Sequence, residues 1–182
     1  MIEVKTRFVI LSAARSGSTA LTVTIGTHPK IYCHGSPFFS SPKWASALHA
    51  EAEAAVDLSK RTTDPVGLVY DVLNFTSGPP IVGCKLWHNA DAGPTEAINA
   101  VAADPDIKKI ILNRENMLAC MSSGELMKMR RQHPDRFVDG APRALLDFDT
   151  AAFLRFAKRR MGWLDDYRAR SKGDVIEVPY IN

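Results

Sequence analysis

Short apolar runs alternate with longer amphipathic stretches along the whole chain. Arg7-Phe8-Val9-Ile10-Leu11-Ser12, Ile31–His34, Ile81–Trp87, Ile107–Asn113 and Asp174–Pro179 are strand-length runs rich in apolar residues, and each predicts a strand. Ile107–Asn113 is nearly all apolar after Lys108-Lys109, as a parallel strand covered on both faces is. Between the strands the pattern predicts helices. Ser18–Thr27 is stopped at His28-Pro29, because the residue before proline is pushed out of the helical region. Residues 42–75 read as helical in pieces, with Ala45–Lys60 rich in Ala, Glu and Leu. Thr95–Ala102 (with Pro94 just before it), Met117–Gln132 and the long basic Thr150–Ala169 complete the set. Thr76–Pro80 is a loop and His133–Asp149 is irregular. Strands alternating with helices imply βαβ units. The expectation is a three-layer α/β fold: one domain over residues 1–182, a central parallel sheet of about four or five strands, and helices on both faces.

The first strand–helix junction carries the chemistry. A small-residue turn, Ala13-Ala14-Arg15-Ser16-Gly17-Ser18-Thr19, opens a helix directly after a buried strand. A helix N-terminus offers unpaired N–H groups and the positive end of a dipole, which suits a phosphate. Gly17 permits a tight turn, Ser16, Ser18 and Thr19 add hydroxyls, and Arg15 adds a planar cationic fork. The ATP-binding pattern GxxxxGK[ST] is absent: Ser18 follows Gly17 in place of lysine, and Ser12 stands where the first glycine would be. The competing reading is an ordinary strand–helix turn with a serine cap.

Composition narrows the partners. The chain has 182 residues, 46% hydrophobic and 24% charged, with a net charge of +3. That balance suits a small anionic ligand and gives no case for nucleic acid. No run approaches the roughly 18 apolar residues of a membrane span, and Met1–Arg7 lacks the features of a signal peptide. Cys33, Cys84 and Cys120 are widely spaced, and the histidines 28, 34, 49, 88 and 133 have no ligand spacing. A cytoplasmic setting without a metal or disulfide framework is expected.

Ala14-Arg15-Ser16-Gly17-Ser18-Thr19-Ala20-Leu21, then His28-Pro29 and Cys33-His34-Gly35, closely resembles the start of sulfotransferases that use 3'-phosphoadenosine-5'-phosphosulfate (PAPS), above all the bacterial carbohydrate-type and protein-tyrosine-type branch. A second motif agrees: Ile110-Ile111-Leu112-Asn113-Arg114, with Ser122 eight residues on and about 100 residues after the first loop. The resemblance implies a P-loop-like fold. It implies that Arg15, Ser16, Gly17, Ser18, Thr19 and Ala20 hold the 5'-phosphosulfate, and that Arg114 and Ser122 hold the 3'-phosphate. Gly83-Cys84-Lys85-Leu86-Trp87-His88 is similar to the family's middle strand, where a lysine stands near the sulfuryl group, and Val178-Pro179-Tyr180 to its late strand.

The implied reaction is sulfuryl transfer from PAPS to a hydroxyl or amine of a carbohydrate or small metabolite, leaving 3'-phosphoadenosine 5'-phosphate (PAP), with no metal. Catalytic roles would fall to Arg15 and Lys85 for charge stabilisation and to His34 or His88 as base. Many bacterial members carry His-Gly-Glu with a glutamate base where this chain reads His34-Gly35-Ser36, and a serine hydroxyl is not basic at neutral pH. Two further alternatives are a PAP- or PAPS-binding homologue of little or no activity and an atypical P-loop nucleotide kinase. Family members continue past the late strand, so the ending at Asn182 leaves three readings: a compact variant, a truncated product or an incomplete C-terminal lid. Trp44, Trp87 and Trp163 are candidates for ring stacking, with Trp87 and Trp163 favoured as core. Arg155, Lys158, Arg159 and Arg160 read as a solvated helix face.

Overall fold

A computed structural model describes residues 5–38, 48–75, 78–88, 95–132 and 148–180. The chain runs β1 (Thr6–Ala13), α1 (Ser18–Gly26), β2 (Ile31–His34), α2 (Ala50–Ala55), α3 (Lys60–Thr63), α4 (Pro65–Leu73), β3 (Ile81–His88), α5 (Thr95–Ala103), β4 (Ile107–Arg114), α6 (Met117–Gln132), α7 (Thr150–Arg170) and β5 (Val175–Tyr180). All five strands join one parallel sheet in the order β2-β3-β1-β4-β5. The α/β expectation therefore holds, and each predicted strand is found. Trp44, Pro94, the first part of the 45–60 stretch, part of the 76–80 loop, nearly all of 133–149 and the last two residues lie outside the described residues.

Alternation along β1 makes two cores. Val9 and Leu11 face α4, α5 and α7, and join Cys84, Leu86, Ile107, Ile111, Leu68, Ile98 and Leu164 in the larger one. Phe8 and Ile10 point the other way, towards Leu21 and Ile25 of α1, with Cys33 and Leu112. Successive side chains of a strand face opposite sides, so a continuous apolar run needs a layer on each. The Phe8 ring covers the strand beside it closely: a Cβ at Gly83 would stand 2.3 Å from it.

Among the described residues of the 45–60 stretch, Ala50–Ala55 is helical before Val56 turns extended at φ −103°, ψ 145°. Asp57 Oδ1 accepts from Ser59 N at 2.9 Å, a local bond that competes with the helix ladder. A fresh start follows, with Asp64 capping Gly67 N at 2.8 Å and Pro65 in the first turn of α4. The helical pieces expected over 42–75 are therefore α2, α3 and α4 among the described residues.

Strand order places the functional edge. β1 connects to β2 on one side of the sheet, while its neighbour β4 connects to β5 on the other. The C-terminal ends of β1 and β4 therefore flank a topological switch point, where open α/β sheets bind ligands.

Candidate functional site

The loop after β1 is built around two left-handed residues. Arg15 has φ 64° and Gly17, the N-cap of α1, has φ 85°. Gly17 takes that conformation freely, whereas arginine adopts it at a cost, and such residues gather at ligand clamps. Loops of this kind supply backbone concavities for anions. Ser16 is fully buried, and its Oγ donates to Ala13 O at 2.8 Å, closing the turn from inside. No side chain caps α1, and Thr19 and Ala20 in its first turn are exposed. Lys85 reaches across from β3, its Nζ 3.1 Å from Thr19 Oγ1. It is only 5% exposed, and burial draws its pKa down. The chain thus brings an ammonium to the helix mouth from a neighbouring strand, although the loop itself has no lysine.

Three guanidiniums close on this turn. Arg15 donates through Nε and Nη2 to Ser123 Oγ, at 2.9 and 2.7 Å. Arg114, at the end of β4, donates through Nη1 to Arg15 O at 3.2 Å, with its Cζ 5.4 Å from the Tyr180 ring centroid. The same ring lies 3.6 Å from where a Cβ of Gly17 would be. Arg160 donates through Nη1 to Ala14 O at 2.7 Å. All three act on the Cys120 thiol: burial raises its pKa, and Arg160, Arg114 and Arg15 oppose that. Among the described residues, neither Arg15 nor Arg160 forms an ion pair.

The solvated-face expectation for α7 is corrected at one position. Arg155, Lys158 and Arg159 are exposed, but Arg160 is only 2% exposed. Burial lowers its pKa first, and Arg114 adds like-charge repulsion. Arg160, Trp163, Leu164 and Tyr167 share one stripe of α7, at the spacing of a buried helical face. That spacing is visible in the sequence and was the signal available for Arg160 and Tyr167. In the second motif the hydroxyl that meets the loop is Ser123. Ser122 is half-buried on α6 and points about 100° away around the helix.

The histidines differ sharply. His34 closes β2 and is fully buried, between Tyr32, His49 and Phe75. Its Nδ1 accepts from His49 N at 3.2 Å, so the neutral ring carries its proton on Nε2. With that lone pair engaged, His34 is held as a hydrogen-bonded core residue. Burial, helped by His49, pushes its pKa down to about 4. Because the unfolded chain binds this proton more readily, the contribution to stability is complete above the ordinary value near 6.5. It is lost as pH falls towards 4, about 3 kcal/mol in all. Urea unfolding between pH 7 and 4 should show that slope, and His34→Asn, which keeps an acceptor for His49 N–H, should flatten it.

His88 ends β3, in register with Ala13 at the loop's first residue. Its ring stands against Trp163 and Tyr167, with Nδ1 3.2 Å from the Tyr167 hydroxyl. Burial lowers its pKa, while Asp166 raises it and Arg170 lowers it.

Six buried side-chain polar atoms have no partner among the described residues, and five sit on this edge of the sheet or over it: Ser12 Oγ, His34 Nε2, Ser36 Oγ, Asn113 Oδ1 and Arg160 Nε. Each such atom costs about 1–3 kcal/mol, and three of them, Ser12 Oγ, Asn113 Oδ1 and Arg160 Nε, stand by the ends of β1 and β4 and the loop. An open cavity of about 360 Å³ lies between the end of β4, the start of α6 and α7, lined by Asn113, Glu115, Met161 and Asp165 and by none of Arg15, Arg114 and Arg160.

Compared with known proteins, the chain matches no family model and no curated sequence. No helix among the described residues is long and apolar enough to cross a membrane.

Proposed function

We propose that the chain binds PAPS on the C-terminal edge of its sheet and transfers the sulfuryl group to a hydroxyl or amine of a carbohydrate or small metabolite. One observation carries this reading. Arg15, Arg114 and Arg160 converge on the loop at the mouth of α1, and Arg114 bonds the loop backbone from 99 residues away. A donor with phosphate at both ends needs two anion subsites joined in this way. The loop N–H groups, Lys85 and Arg15 would take the 5'-phosphosulfate, and Arg114 with Ser122 the 3'-phosphate. The buried, incompletely bonded Arg160 suits either subsite.

In the reaction the acceptor oxygen or nitrogen bonds to sulfur as the bond from sulfur to the 5'-phosphate oxygen breaks. Arg15 and Lys85 stabilise charge on the sulfuryl oxygens and the departing phosphate. The acceptor proton passes to a base, and His88 is the better placed of the two histidines, since His34 has its lone pair engaged.

A second reading, a PAP-binding homologue without turnover, draws support from that same engagement of His34 and from Ser36 in place of an acid. Titration calorimetry with PAP beside AMP tests the donor site that both readings share. Micromolar PAP binding with much weaker AMP binding is the expected result, and equal affinities would defeat both. Turnover of PAPS then separates the two.

A further inference from the structure

We propose that Tyr167 is a positioning residue that holds His88 in the Nδ1–H tautomer and so leaves Nε2 as its basic nitrogen beside the loop. The case is one of donors and acceptors. A tyrosine hydroxyl has a single hydrogen to give and two lone pairs with which to accept. The Tyr167 hydroxyl lies 3.0 Å from Ser12 O, a carbonyl that can only accept, so its hydrogen goes there. The same oxygen receives the His88 backbone N–H at 3.3 Å. It also lies 3.2 Å from His88 Nδ1. With the hydroxyl hydrogen spent on Ser12, a bond to Nδ1 requires Nδ1 to donate. The neutral imidazole then has its lone pair on Nε2.

The surroundings fix this arrangement. Tyr167 is 1% exposed, and burial raises its pKa, so the phenol stays protonated and keeps its bond to Ser12. Trp163 stands 5.3 Å from the His88 ring, centroid to centroid, on the same α7 stripe. Ser12 precedes Ala13, the register partner of His88, so one hydroxyl ties the end of β1, the end of β3 and α7 together at the loop's root. In enzymes that use a histidine base, the group bonded to the other ring nitrogen sets which nitrogen is free. Here that group is a buried hydroxyl committed elsewhere.

What Nε2 does rests on the sulfuryl-transfer reading, whereas the tautomer does not. The test is nitrogen-15 NMR of the full chain, labelled in histidine, at pH 7.5, with His88→Gln to assign the resonances. In the unaltered protein, Nδ1 of His88 should resonate as a protonated ring nitrogen and Nε2 as an unprotonated one. In Tyr167→Phe the two should exchange character, with Nε2–H becoming the major form. A protonated Nε2 in the unaltered protein, or a tautomer unmoved in Tyr167→Phe, overturns the lock. Calorimetry with PAP on the same unaltered sample separates the two ideas: Nδ1–H with no PAP binding overturns the sulfuryl-transfer reading alone, and PAP binding with Nε2–H overturns the lock alone.

Discussion

Arg114→Ala is expected to weaken PAP binding by about 10- to 100-fold and to abolish its preference over AMP. A hydrogen bond to a charged group is worth about 1.5–3 kcal/mol, and each 1.4 kcal/mol is about tenfold in affinity. Arg114 is already oriented in the free protein, by its bond to Arg15 O and by the Tyr180 ring, so little ordering is spent when the anion arrives. AMP, which lacks the 3'-phosphate, should lose much less. Arg114→Lys should recover only part of the affinity, because an ammonium cannot reproduce the planar fork. Calorimetry on both variants, with melting curves alongside, reads the effect. If PAP binding survives Arg114→Ala unchanged, the second subsite is not at the end of β4.

Arg160→Met should move stability and binding in opposite directions. A buried guanidinium with an unpartnered Nε and Arg114 nearby is costly in the free protein. Replacing a buried ion pair by apolar side chains of similar volume is often neutral or stabilising by about 1–4 kcal/mol. A buried guanidinium without an ion-pair partner among the described residues has no such attraction to lose. Against that stands the lost bond to Ala14 O. The melting temperature is therefore expected to hold or to rise by a few degrees, at about 2–4 °C per kcal/mol for a chain of this size. PAP affinity should fall by about tenfold, by the loss of one charge-assisted contact. The opposite pattern, a large drop in melting temperature with binding intact, would make Arg160 a structural brace for the loop and nothing more. Differential scanning calorimetry with and without PAP distinguishes these outcomes.

The sequence by itself determined the five strands, most of the helices and the junction at residues 13–19. Those features are written locally, as a period of two, a period of 3.6, and punctuation by Gly17, Pro29 and Pro65. Residues 42–75 were legible as helical in pieces, and the breaks between the pieces come where Asp57 and Asp64 each offered the backbone a bond nearby. The tertiary structure alone decided what meets at the loop. Arg114 comes to Arg15 because β4 was laid beside β1, a choice of strand order that no short stretch encodes. Arg160 is buried while Arg159 beside it is exposed, and Ser123 meets the loop in place of Ser122, because each helix turns one face to a neighbour whose position the whole sheet sets. His34 and His88 look alike as strand-end histidines. Their ring nitrogens differ because His49 donates to one and Tyr167, distant in sequence, holds the other.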